Sequence, residues 1–225
     1  MTIIYLSAAR SQSGKTVLAS EICHALTTRG IRHSRGEILD DDDASSSPGT
    51  MRLPLDSVLT CTAEQIGDAF RSLEECRVFV LEVPSPVGRR LADWARNIRL
   101  GEILAEARPK HRLVVCLVQA PAECENDDRY LARLTACLAE SQTQWFLADA
   151  PHLPGRQEAK PSPKDVIRMV LPKVAPPILA ECRHLGVCLA GLASHPSVHL
   201  LSRTRARLFS ASYLKALTPL LRTVS

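Results

Sequence analysis

The chain has 225 residues, 45% of them hydrophobic and 23% charged, enough for one α/β domain with a sizeable core, alone or with a helical appendage. No stretch approaches the roughly 18 to 20 uninterrupted apolar residues of a membrane-spanning helix. The opening "MTIIYLSAARSQ" has neither the basic leader nor the long apolar region of a secretory signal. The net charge of +4 is unevenly spread: "LDDDDASSSPGT" concentrates four aspartates, and after Glu181 no acid occurs while Arg183, Arg203, Arg205, Arg207, Lys215 and Arg222 follow. An acidic loop and a basic end suit partners of different kinds.

In chain order, "TIIYLSAA" is a β-branched and aromatic run that predicts a buried strand. Thr16 to Arg29 predicts an amphipathic helix. Val17, Ser20, Glu21, His24 and Thr28 take its polar side, Leu18, Ile22, Ala25 and Leu26 its apolar side, and Gly30 stops it. A second strand falls within 31–39, and 40–50 is a loop by composition. "SVLTCTA" predicts a third strand and "AEQIGDAFRSLEE" a helix. The apolar strand "CRVFVLEVPSP" follows, then the helix "RRLADWARNIRLGEILAEAR", the strand "HRLVVCLVQAP", the helix "NDDRYLARLTACLAES" and the strand "TQWFLADAP". "PHLPGRQEAKPSPK" is a surface connection, "VIRMVLPKV" an edge strand, and 176–193 and 197–217 are helical. Strands that alternate with helices and are apolar throughout predict a doubly wound, mostly parallel sheet with helices on both faces. The division expected is one α/β domain over 1–175 with a helical segment, 176–225, packed on it. The eight cysteines include no C-x-x-C pair and lie mostly in apolar runs, so they read as reduced core thiols in a cytosol.

The chemistry begins at "ARSQSGKTVL", residues 9–18. A phosphate-binding loop has the pattern G-x-x-x-x-G-K-[ST] between a strand and a helix, its backbone N–H groups wrapping phosphate at the positive end of the helix. Gly14, Lys15 and Thr16 supply the glycine, the cation for the phosphate oxygens and the hydroxyl for Mg²⁺. Ser11, Gln12, Ser13 and Val17 complete the cradle. Ala9 and Gln12 stand where glycines are expected, which predicts slow turnover. The plain alternative is a strand–loop–helix with an incidental Gly-Lys-Thr.

Arg10 follows the first loop position, where partition-type P-loop proteins carry a second lysine. With it, "ARSQSGKT" resembles the ParA/MinD family of deviant Walker ATPases, whose loop is glycine-rich. The resemblance implies that Arg10 crosses a nucleotide-dependent homodimer to the partner's nucleotide. Arginine is bulkier than lysine and no simple replacement for it; a solvated loop cation is the other possibility. The family's strand-end acid, usually Asp before prolines, has its counterpart in Glu82 ahead of Pro84 and Pro86. Its second acid, in a switch after the second strand, matches Asp40 and Asp42, with Glu37 a fallback. The implied set is Lys15, Arg10, Asp40 and Glu82 for catalysis, and Thr16, Asp40 and Glu82 for Mg²⁺, with ATP as the nucleotide. A flexible acidic loop at 40–43 and a strand-end glutamate bonded to a helix N-terminus stay open. "DAPHLPGR" lies where the family contacts the base, making His152 and Pro154 candidates, with a plain surface turn the alternative reading.

The tail, "SVHLLSRTRARLFSASYLKALTPLL", has apolar positions at Val198, Leu201, Leu208, Leu214, Leu217 and Leu221. Arg203, Arg205 and Arg207 make a basic outer face fit for nonspecific DNA, for a membrane surface, or for solvent alone. With the short core, this tail is similar to that of TraL/StbB-type plasmid proteins. That implies a ParA-like ATPase in plasmid stability, partition or conjugal transfer, with a plasmid-encoded partner, in a bacterial cytoplasm. A nucleotide-binding adaptor with little hydrolysis and a dethiobiotin-synthetase-like ligase are the alternatives.

Overall fold

The computed structural model describes residues 1–8, 14–39, 50–60, 76–84, 88–106, 112–119, 132–138, 143–149 and 166–224. Seven strands, β1 (Thr2–Ser7), β2 (His33–Leu39), β3 (Met51–Pro54), β4 (Val78–Glu82), β5 (Arg112–Gln119), β6 (Gln144–Asp149) and β7 (Val166–Val170), form one sheet. Their order is β3-β2-β4-β1-β5-β6-β7, and every pairing is parallel. The helices are α1 (Lys15–Thr28), α2 (Leu55–Thr60), α3 (Gly88–Asn97), α4 (Leu100–Glu106), α5 (Pro176–Leu185), α6 (Leu189–Ser194), α7 (Leu200–Ala216) and α8 (Thr218–Thr223). Residues 132–137 are also helical.

The apolar runs are continuous because both faces of the sheet are covered. On one face Ile4, Leu6, Val78, Val80, Val114, Cys116 and Phe146 pack with α1 and with core residues of α5 to α8. On the other, Val115, Leu117, Trp145 and Leu147 meet Ala92, Leu104, Leu134 and Leu138. The expected doubly wound α/β fold is therefore the observed one. From β1 the chain winds out to β2 and β3, returns to place β4 beside β1, and then crosses to β5, β6 and β7. The winding changes direction around β1, so the carboxyl ends of β1 and β4 flank the crevice where open α/β sheets bind ligands.

Local details depart from expectation in five places. The third strand lies at Met51–Pro54, and most of "SVLTCTA" belongs to α2; the short strand pairs with β2 from Gly36 to Leu39. The helix expected over 89–108 is broken into α3 and α4 at Arg99, whose φ of 55° turns the chain so that Gly101 and Leu104 are buried. Glu21, assigned to the polar side of α1, is fully buried, because α6 and α7 cover that side. The last helical region is four helices rather than two, Gly186 at φ 65° ending α5 as glycine does at a helix stop. Leu201 and Leu208, expected to dock, are 64% and 65% exposed; Ala206, Ser210 and Tyr213 form the packed stripe of α7 instead. Of its three arginines, Arg205 and Arg207 are exposed and Arg203 is half-buried. The six described cysteines are free thiols, and burial pushes the Cys116 thiol up to about 12. No helix among the described residues is long and apolar enough to cross a membrane.

Candidate functional site

Strand β1 ends at Ser7 and α1 begins at Lys15, so the strand and helix that the phosphate-loop pattern requires are both present. Gly14 sits at φ 90°, ψ 12°, a left-handed conformation that costs glycine little and strains any other residue. Its carbonyl accepts the Leu18 N–H at 3.0 Å, the first bond of the helix. The first turn carries no acid, leaving the positive end of the helix dipole uncompensated there.

Lys15 is buried, at 8% exposure. Burial lowers its pKa from the ordinary lysine value, and the charges of Glu82 and Glu37 oppose that shift. An ammonium short of water at a helix N-terminus gains most from an anion. Val17, two positions on, packs against the core.

Thr16 Oγ1 donates to Glu82 Oε1 at 2.5 Å. Thr16 is itself exposed, and a hydroxyl that gives its proton to a carboxylate keeps lone pairs for a cation. The other carboxylate oxygen, Glu82 Oε2, accepts from Arg35 Nη2 at 2.7 Å. Arg35 Nη1 donates to Ser20 Oγ at 3.0 Å, and Ser20 donates to the Thr16 carbonyl at 2.8 Å. Parallel register sets Glu82 beside both Leu6 and Glu37. One carboxylate thus ties together β2, β4 and the first turn of α1.

The described residues fit a phosphate with a divalent ion: left-handed Gly14 opens α1, Lys15 is a buried cation and the Thr16 hydroxyl is oriented. Among the described residues no group of three or more His, Cys, Asp or Glu side chains could hold a metal unaided. An ion here would take ligands from a bound phosphate as well as from Thr16.

Of the residues singled out from sequence, Gly14, Lys15, Thr16 and Glu82 come together. Arg10, Ser11, Gln12, Ser13, Asp40, Asp42, His152 and Pro154 lie outside the described residues. Glu37, the fallback acid, faces the site closely enough to act on the charge of Lys15. Arg35 and Ser20 join them from outside the motif. The available signal was the R-x-E spacing at 35 and 37: period two puts both on one face of a strand, and two charges on one face of an interior strand need partners.

No family model and no curated protein matches the chain. Among solved structures it is similar to a ParA family ATPase from Chlorobium tepidum TLS, at 12% identity and a TM-score of 0.49, over 92% of this chain and 96% of that one. It is also similar to a GTPase in apo form from Pyrococcus abyssi, at 12% identity and a TM-score of 0.35, over 66% of each chain.

Proposed function

We propose that the protein is a nucleoside triphosphate-binding switch of the ParA type, taking ATP with Mg²⁺ and hydrolysing it slowly. The observation that carries this reading is buried Lys15 between left-handed Gly14 and a Thr16 hydroxyl already oriented by Glu82. Lys15 neutralises phosphate oxygens, the backbone at the start of α1 orients them, and Thr16 holds the metal. Bound Mg²⁺ supplies charge neutralisation at the transferring phosphoryl group. Asp40 and Arg10 complete the site from the neighbouring loops, Arg10 across a homodimer. Glu82 sets the direction of the Thr16 hydroxyl.

The resemblance of the loop and tail to plasmid ParA-like proteins supports a role in plasmid stability, partition or conjugal transfer, with a plasmid-encoded partner, in a bacterial cytoplasm. Arg205 and Arg207, exposed on α7, with Arg203 beside them, supply the cations for nonspecific DNA contact. A nucleotide-binding adaptor with little hydrolysis is the second reading, and the engagement of both Glu82 oxygens favours it.

Titration of Mg·ATP and Mg·GTP against wild type and Lys15→Ala tests the core of the proposal. Wild type is expected to bind, and Lys15→Ala to bind about 100-fold more weakly, a loss of about 2.7 kcal/mol. Lys15→Ala should melt no lower than wild type, since it removes a charge that burial disfavours. Absence of binding by folded wild type defeats the proposal. Steady hydrolysis lost in Lys15→Ala excludes the adaptor, and stimulation by DNA favours the partition role.

A further inference from the structure

We infer that Arg35 is a positioning residue that keeps Glu82 out of the inner coordination of the metal, leaving the ion to Thr16 and the phosphates. The inference rests on the nucleotide reading above and concerns how the same site handles its divalent ion.

Glu82 is the acid that the strand-end position offers to a cation, yet it already has a cation. Arg35 Nη2 lies 2.7 Å from Glu82 Oε2, with side-chain exposures of only 11% and 4%. Where water is scarce, a guanidinium at hydrogen-bond distance neutralises most of a carboxylate's charge. A divalent ion brought onto the same carboxylate would meet that positive charge at close range.

The guanidinium is fixed from both sides. Nη1 is held by Ser20 Oγ, Ser20 by the Thr16 carbonyl, and Nη2 by Glu82; its Nε is buried with no hydrogen-bond partner. Leaving Glu82 would cost Arg35 its ion pair and strand a buried cation. The other carboxylate oxygen takes the proton of Thr16, so Glu82 acts on the metal site by aiming the hydroxyl. Ser20, Arg35 and Glu82 thus form a brace behind Thr16, contributed by α1, β2 and β4.

This arrangement predicts a weak divalent site whose affinity rises when the brace is opened. The test is a Mn²⁺ titration, read by electron paramagnetic resonance, of the full chain saturated with ATP, after metal-free ATP affinity and the melting temperature of each variant are measured. Arg35→Gln, which frees Glu82 for the ion, is expected to tighten Mn²⁺ about tenfold. Arg35→Lys keeps the positive charge and should stay within about threefold of wild type. The uncharged pair Arg35→Gln/Glu82→Gln, whose amide oxygen at 82 can still accept from Thr16, should stay within about threefold of wild type.

Unchanged or weaker Mn²⁺ binding in folded Arg35→Gln overturns the inference, as does a tenfold or larger loss in the uncharged pair. Should Arg35→Gln fail to fold, the uncharged pair Arg35→Gln/Glu82→Gln decides the matter. Affinities near wild type support the brace, and a tenfold loss overturns it. Wild type that binds no ATP overturns the nucleotide reading itself, whereas ATP binding with unmoved Mn²⁺ affinity overturns only the role of Arg35.

Discussion

The Glu21 carboxylate, 0% exposed in the middle of α1, accepts from the Leu189 backbone N–H at 2.9 Å and from Ser210 Oγ at 2.9 Å. Those donors belong to α6 and α7. Burial raises the carboxyl pKa, the bonds from Ser210 and Leu189 opposing it. A raised folded-state pKa means that the folded chain binds its proton more tightly than the unfolded chain. The contribution of Glu21 to stability is then fully present below the ordinary carboxylate value and is lost as pH rises through the raised one. Glutamine can accept from Leu189 and donate to Ser210 without carrying charge. Glu21→Gln is therefore expected to equal or exceed wild type in stability at pH 7, by up to about 1 kcal/mol, with the advantage vanishing toward pH 4, as urea titrations at both pH values would show. Glu21→Ala strands both donors beside a cavity and should cost about 2 to 4 kcal/mol at either pH.

At the scale of elements, close approaches decide where chain breaks fall. A Cβ on Gly101 would stand 2.7 Å from the Cys137 carbonyl oxygen. Helix α4 reaches the stretch ending at Leu138 only because residue 101 has no side chain. The Arg99 turn, at φ 55°, is the strain accepted for that contact, of order 1 kcal/mol or more for a non-glycine residue. Gly101→Ala should destabilise by about 1 to 3 kcal/mol, since backbone rather than a movable side chain stands in the way. Equilibrium urea unfolding checks it, and an unchanged midpoint would show that the two elements separate freely.

For the whole molecule, the C-terminal helices are part of one core. Ile178, Leu189, Leu192, Tyr213, Leu217, Leu220 and Leu221 lie in the same buried cluster as Ile4, Leu18, Ile22 and Phe146. Cutting the chain after Ala175 would expose that face of α1 and strand the Glu21 carboxylate in an apolar surface. We expect residues 1–175 alone to give no cooperative melt, while the full chain melts in one transition by calorimetry. Separate transitions would show that the helical segment is an independent unit.

The sequence by itself determined the alternation of apolar strands with helices, and hence the covered parallel sheet. It also placed Gly14, Lys15 and Thr16 between β1 and α1. These follow from period, composition and neighbours a few residues away. Only the tertiary structure decided that Arg35 reaches Glu82 across 47 positions, that Thr16 meets the same carboxylate across 66, and that Glu21 is sealed by residues 168 and 189 positions away. Helical periodicity could not reveal the last. A carboxylate on the flank of an amphipathic helix is polar in pattern, and whether water or a distant helix satisfies it depends on which surfaces the fold brings together.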